Sequence, residues 1–220
     1  MFVGHLAAAL AAKRIEPRLP LAALVGATYG LDLLWPAFLL AGIEAVRVAP
    51  GNTAFTPIDF ESYPWSHSLL LALIWGGLAA WIAASRGTSR MGFVIFALVV
   101  SHWVLDVVTH RPDLPLWPGG AEVGLGLWHS VPATLVVEGA LLAAGVAFYL
   151  RSAPAADRTG QWAFWSLILV TTAIWLSGPF STPPPGVGAI AGVGLAGGAL
   201  LIMWGRWIDR HRRSVRPPGP

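Results

Sequence analysis

Six stretches of the chain stay apolar over long runs: residues 19–43, 65–84, 91–110, 131–150, 161–178 and 187–208. Each approaches the roughly 20 apolar residues that an α-helix needs to cross bilayer hydrocarbon. The pattern therefore predicts an all-α, polytopic membrane bundle of six transmembrane helices. Pro36, Pro64 and Pro132 set the weakest edges of these spans, because proline lacks a backbone donor and disfavours helix at the residue before it. The segments "RSAPAADRTG" and "PFSTPPPG" read as loops. The opening "MFVGHLAAALAA" is also apolar, but at roughly 18 Å if fully helical it is too short to cross. Residues 1–18 are expected to lie at the interface or to enter as a half-helix. With no internal repeat, residues 1–220 read as one integral membrane domain ending in a basic cytoplasmic tail at 209–220.

Composition excludes a soluble domain: 55% of residues are hydrophobic, 11% are charged, and the mean hydropathy is +0.65. Lysine and arginine resist translocation and so collect in cytoplasmic loops. With both ends inside, 12 of the 14 basic residues fall on the cytoplasmic side, Arg216 among them, and only Arg47 and Arg111 fall outside. This predicts a bacterial cytoplasmic (inner) membrane protein with cytoplasmic basic loops and C-terminus. The pI near 10.0 then reflects topology and anionic lipid head groups, and no nucleic-acid partner is expected. Nothing precedes the apolar start that would act as a signal peptide's charged region, so residues 1–12 are read as part of the mature protein. Trp35, Trp65, Trp103, Trp117 and Trp128 are expected at the outer boundary, and Trp162, Trp204 and Trp207 at the inner one. Gly188 and Gly192 have the small-xxx-small spacing of close helix packing.

Against this background the polar residues stand out. In "SHWVLDVVTH", residues 101–110, His102, Asp106 and His110 lie four apart and so share one helical face. With an outer end at 110, Asp106 lies roughly 6 Å and His102 roughly 12 Å below it, while Asp32 and Glu138 lie roughly 16 and 10 Å below the outer ends of their own spans. His67 stands at the mouth of the second span. Four spans thus send ionisable groups to the outer third of the bilayer. A carboxylate facing lipid costs about 3 kcal/mol on insertion scales, so such groups face a bundle interior, a watery cavity or a cation. Cysteine is absent, so a metal would be held by imidazole and carboxylate. That donor set suits zinc, with manganese and iron as alternatives. Ser66, Ser68, Ser101 and Thr109 read as hydrogen-bond donors beside such ligands or as packing groups. Asp59 and Glu61 read as solvated loop carboxylates.

The pieces "VGHLAAAL", "GLDLLWP", "SHSLL" and "SHWVLDVVTHRPDLPLWP" resemble the YdjM-like bacterial inner-membrane proteins, a family of predicted metal-dependent hydrolases. That family is distantly similar to the zinc-dependent phospholipase C and single-strand nuclease superfamily. The resemblance implies a ligand set His5, Asp32, His67, His102 and Asp106, with His110, His129 and Glu138 as a later group. Two positions depart from the family pattern: only Asp32 stands where Asp-x-Asp is common, and Ser62 stands five residues before His67 where a second histidine is common. Both bear on how many metals are held.

The expectation is a membrane-embedded hydrolase of the phospholipase C type, acting on a lipid or lipid-linked substrate, with a phosphoester bond as the expected target. Its centre would open to the outer face, with His5, Asp32, His67, His102, Asp106 and His110 as metal ligands and Asp32 or Glu138 as general base. The alternatives are a ceramidase-like amide hydrolase, a transporter relaying protons or a cation through these groups, and a structural or assembly protein whose polar pairs specify packing.

Overall fold

The computed structural model describes residues 1–213; Arg216 and the end of the basic tail lie outside the described residues. The chain is mostly helical. Its helices are α1 (Val3–Ile15), α2 (Leu21–Thr28), α3 (Gly30–Leu40), the single turn α4 (Pro64–His67), α5 (Leu69–Ser85), α6 (Ser89–Thr109), α7 (Val131–Ser152), α8 (Arg158–Ser177) and α9 (Val187–His211). Two antiparallel ribbons interrupt them at one end of the bundle: β1 (Ala45–Val48) with β2 (Ile58–Ser62), and β3 (Leu114–Pro115) with β4 (Glu122–Val123). These short strands sit in loops rich in proline and glycine, outside the helical periodicity that predicts an all-α chain.

Among the described residues four helices, α6 to α9, are long and apolar enough to cross a membrane, and a fifth crossing arises if α2 and α3 form one span. Those two meet at a 52° bend. The break falls at Tyr29 and Gly30, whereas Pro36 lies inside α3. The expected second span starts later than the sequence pattern suggests. Pro64 opens the short α4, Ser68 takes an extended conformation, and its hydroxyl caps α5 by accepting the Leu71 N–H. The 17 residues of α5 measure roughly 25 Å, short of the roughly 30 Å hydrocarbon core. An apolar outer surface, including Trp81, Phe93, Val136, Trp162 and Leu169, surrounds the bundle. This pattern, with the crossing helices, describes an integral membrane protein.

The helix α1 lies inside the bundle and not on its surface: Val3, His5, Leu6, Ala9 and Leu10 are fully buried. Its closest neighbour is α7, where Gly145 permits a backbone approach that no larger residue allows. A Cβ there would stand 2.6 Å from the Ala7 carbonyl oxygen. The glycines of α9 behave differently from the packing expectation. Gly188 and Gly192 face open space, and the close contacts are Gly198 on Leu33, Gly194 on Pro36 and Gly205 on Ala22. Trp103 is likewise buried in the core.

Most of the basic groups and the ribbons lie at opposite ends. At one end Arg18 and Arg90 meet Glu16, Asp209 accepts the Leu21 and Ala22 N–H groups that open α2, and Arg212 donates to the Ala153 and Gly160 carbonyls. At the other, Arg47 stands in β1 and Arg111 in the turn between α6 and β3. These pair with Asp59, Glu61 and Asp113, so Asp59 and Glu61 are committed to arginines beside the centre described next.

Candidate metal centre

Five residues predicted as ligands converge beneath the ribbons, each for a local reason. Burial of α1 carries His5 inward. The bend at Tyr29 starts α3 so that Asp32 stands in its first turn, and α4 ends on His67. His102 and Asp106 share the inner face of α6. Among the described residues, His5, His102 and Asp106 form one set able to share a cation, and Asp32, His67 and His102 form a second.

The hydrogen bonds around the rings decide which nitrogens are free. Released from the helical ladder at the bend, the Thr28 carbonyl lies 2.6 Å from His102 Nδ1. A carbonyl only accepts, so His102 Nδ1 carries the proton and a neutral ring leaves Nε2 with a bare lone pair. At His67 the argument has one more link. Glu44 Oε1 accepts the Trp65 and Ser66 backbone N–H groups, each at 2.8 Å, and Glu44 Oε2 accepts the Ser66 hydroxyl at 2.7 Å. With its proton given to Glu44, the Ser66 oxygen accepts from His67 Nδ1 at 2.7 Å. His67 Nε2 is then bare as well. With both rings neutral the two nitrogens face one another at 3.2 Å, a contact that is repulsive unless a proton or a metal cation lies between them.

Two carboxylates complete the surroundings. His102 Nε2 is 3.0 Å from Asp106 Oδ2 and 3.7 Å from Asp32 Oδ1, and His67 Nε2 is 3.5 Å from Asp32 Oδ1 and 3.9 Å from Asp106 Oδ2. Four ligands each about 2.1 Å from a tetrahedral zinc stand about 3.4 Å apart, so this donor set fits a divalent cation. The other oxygen of Asp106 is 3.1 Å from His5 Nε2 and 2.5 Å from the Met1 backbone nitrogen. The His5 ring stacks on that of His102 with centroids 3.8 Å apart, and its buried Nδ1 has no partner among the described residues. The side chain of Asp32 is 41% exposed, while those of His5, His67, His102 and Asp106 are buried; access to the centre is therefore past Asp32.

The other predicted residues stand apart. Helix α6 ends at Thr109 and His110 turns to an extended conformation, which takes it off the face shared by His102 and Asp106. His110 Nδ1 instead lies 3.0 Å from Asp113 and 3.1 Å from the Tyr63 hydroxyl, with Phe60 and Trp128 against its ring. Burial pushes the Asp113 carboxyl up, but the hydrogen bonds from His110, Arg111 and Tyr63 outweigh it and hold the group below its ordinary value. His129 ends a 3-10 turn, Leu127–His129, and faces the Gly126 carbonyl. Glu138 accepts the Phe2 and Gly4 N–H groups through Oε2, anchoring the start of α1, and its buried Oε1 has no partner among the described residues. Glu44 was not identified from the sequence. Its signal was faint: one carboxylate in a loop, 22 residues from the serine it orients.

Fold and centre together define an integral membrane helical protein with a buried histidine–carboxylate cluster at one end of its bundle. The family described as YdjM inner membrane protein matches residues 64–182, more than half of the chain, and the chain belongs to that family. The matched region carries His67, His102 and Asp106, and His5 and Asp32 come from the helices that precede it. No curated protein and no solved structure matches the chain.

Proposed function

We propose that this protein is a divalent-metal-dependent hydrolase of a lipid or lipid-linked phosphoester, with its centre open to the outer face of the membrane. The observation that carries the reading is the 3.2 Å approach of two nitrogens, on His67 and His102, with oxygens of Asp32 and Asp106 within 3.0–3.9 Å of them. Asp32 and Asp106 complete a hard-and-borderline donor set suited to zinc, with manganese or iron as alternatives. A cation held there supplies a Lewis acid that acidifies water and polarises a phosphoryl oxygen.

The chain's own residues then divide the work. Asp32, the exposed member, takes a proton from the attacking water. The water oxygen bonds to phosphorus, the bond from phosphorus to the lipid alcohol breaks, and the departing alkoxide takes up the proton that Asp32 holds. His5 supports Asp106 from the side away from His67, and Glu138 holds α1, and with it His5, in place. In this reading α5 and the bent α2–α3 pair both cross, which gives six spans, and the end rich in arginine faces the cytoplasm.

Elemental analysis of detergent-purified protein carrying no histidine tag, beside a His102→Ala/Asp106→Ala variant, tests the centre. About one or two equivalents of zinc, manganese or iron are expected, lost in the variant. Metal-replete protein that releases no product from phospholipid or polyprenyl phosphoesters sinks the hydrolase assignment.

A further inference from the structure

A cavity of about 290 Å³ lies between α3 and α8 with α9 as its floor. Its volume is near the lower end for ligand sites. The floor is made by Gly194, Gly197 and Gly198, and the rim by Val170, Ile174, Val193 and Leu200. Those four rim residues belong to the exposed apolar surface of the bundle, Val193 at 73%, so the groove opens sideways toward lipid. From Val193 to Trp204 it follows α9 for roughly 16 Å, close to the roughly 15 Å depth of one leaflet's hydrocarbon. Asp32 is the charged residue in its wall.

The glycines are what hold the groove open. A Cβ on Gly197 would meet no atom within 4 Å, so its bareness serves no packing contact within the chain. Gly194 and Gly198 do touch α3, which places that helix, and with it Asp32, against the groove. An apolar space at this depth is filled by hydrocarbon and not by water. A carboxylate at its wall fits a molecule that is apolar along most of its length and polar at one point.

We propose that this groove holds one hydrocarbon chain of the substrate lipid, so that substrate enters sideways from the bilayer and brings its phosphoester to Asp32. The proposal rests on the hydrolase reading for what happens at Asp32, but the groove is testable by itself. Gly197→Leu fills it without a backbone clash. Gly192→Leu, also facing open space but outside the groove, is the control.

The probe is phosphatidylglycerol carrying a photoactivated diazirine in one acyl chain, reconstituted with protein in vesicles and read by residue-resolved mass spectrometry. Wild type and Gly192→Leu are expected to label at the groove wall, on Thr171, Leu201 and Trp204. Gly197→Leu is expected to lose at least about fivefold of that labelling while keeping wild-type metal content. Labelling of those residues unchanged in Gly197→Leu, or no higher than on the exposed faces of α5 and α7, overturns the groove. Groove labelling in a protein that binds no metal and hydrolyses nothing supports the lipid site and removes the hydrolase reading. Hydrolysis of long-chain lipid at the wild-type rate by Gly197→Leu does the reverse.

Discussion

Replacing Glu44 by glutamine tests the chain of hydrogen bonds behind His67, because the change inverts its polarity while preserving its shape. The Trp65 and Ser66 N–H groups, 2.8 Å from Glu44 Oε1, require an acceptor, so the amide oxygen takes that place. The amide nitrogen then faces the Ser66 hydroxyl, which now accepts, and the serine's proton turns to His67 Nδ1 at 2.7 Å in preference to the Tyr63 carbonyl at 3.4 Å. His67 is driven to its other tautomer, with the proton on Nε2 and aimed at His102 Nε2. Such a nitrogen cannot ligate, and orienting partners of this kind are worth about 10- to 100-fold in metal affinity, or about 1.4–2.7 kcal/mol. The apoprotein moves much less. The three bonds to residue 44 lose charge assistance, while a repulsive pair of lone pairs becomes a hydrogen bond worth about 1 kcal/mol. Zinc affinity measured by competition with a chromophoric chelator should therefore fall by that factor, with apoprotein stability within about 1 kcal/mol of wild type. Nitrogen chemical shifts should report the proton on His67 Nε2. A zinc affinity within threefold of wild type, or a His67 Nε2 that stays bare, would refute the reasoning.

Three further outcomes follow from separate parts of the structure. Gly145→Leu should separate α1 from α7 and displace His5, costing about 1–3 kcal/mol through overpacking and lowering metal occupancy; a denaturant titration and elemental analysis measure the two effects. His110→Ala should leave metal content at the wild-type level, since its ring serves Asp113 and Tyr63, and a loss of metal would return it to the ligand set. The ribbon end should loosen in acid. The Asp113 carboxyl titrates below its ordinary 3.8 when folded, so its contribution is present above that value and is lost as pH falls through the depressed one. Amide protection factors over residues 110–130, corrected for the intrinsic pH dependence of exchange, should fall in that window.

The membrane class, the helical stretches and the stripe of His102 and Asp106 were legible in the sequence, because hydropathy and a four-residue spacing are local properties. Residues whose partners are distant were not. His110 fits the stripe by spacing, yet the helix stops one residue earlier and sends its ring to Asp113. The bend in the first long apolar run falls at Tyr29 and Gly30 and not at Pro36. It leaves the Thr28 carbonyl free for His102, an acceptor that no motif announces.

Periodicity determines which residues share a helix face, and composition determines that those faces meet lipid. Neither determines which helices meet each other. Placing α1 inside the bundle, bringing Glu44 to Ser66 and setting the His67 and His102 nitrogens 3.2 Å apart depend on contacts between segments as much as 136 residues apart. Such contacts are chosen by the packing of the whole bundle, where the close approach at Gly145 and the satisfaction of each buried polar group count more than any local preference.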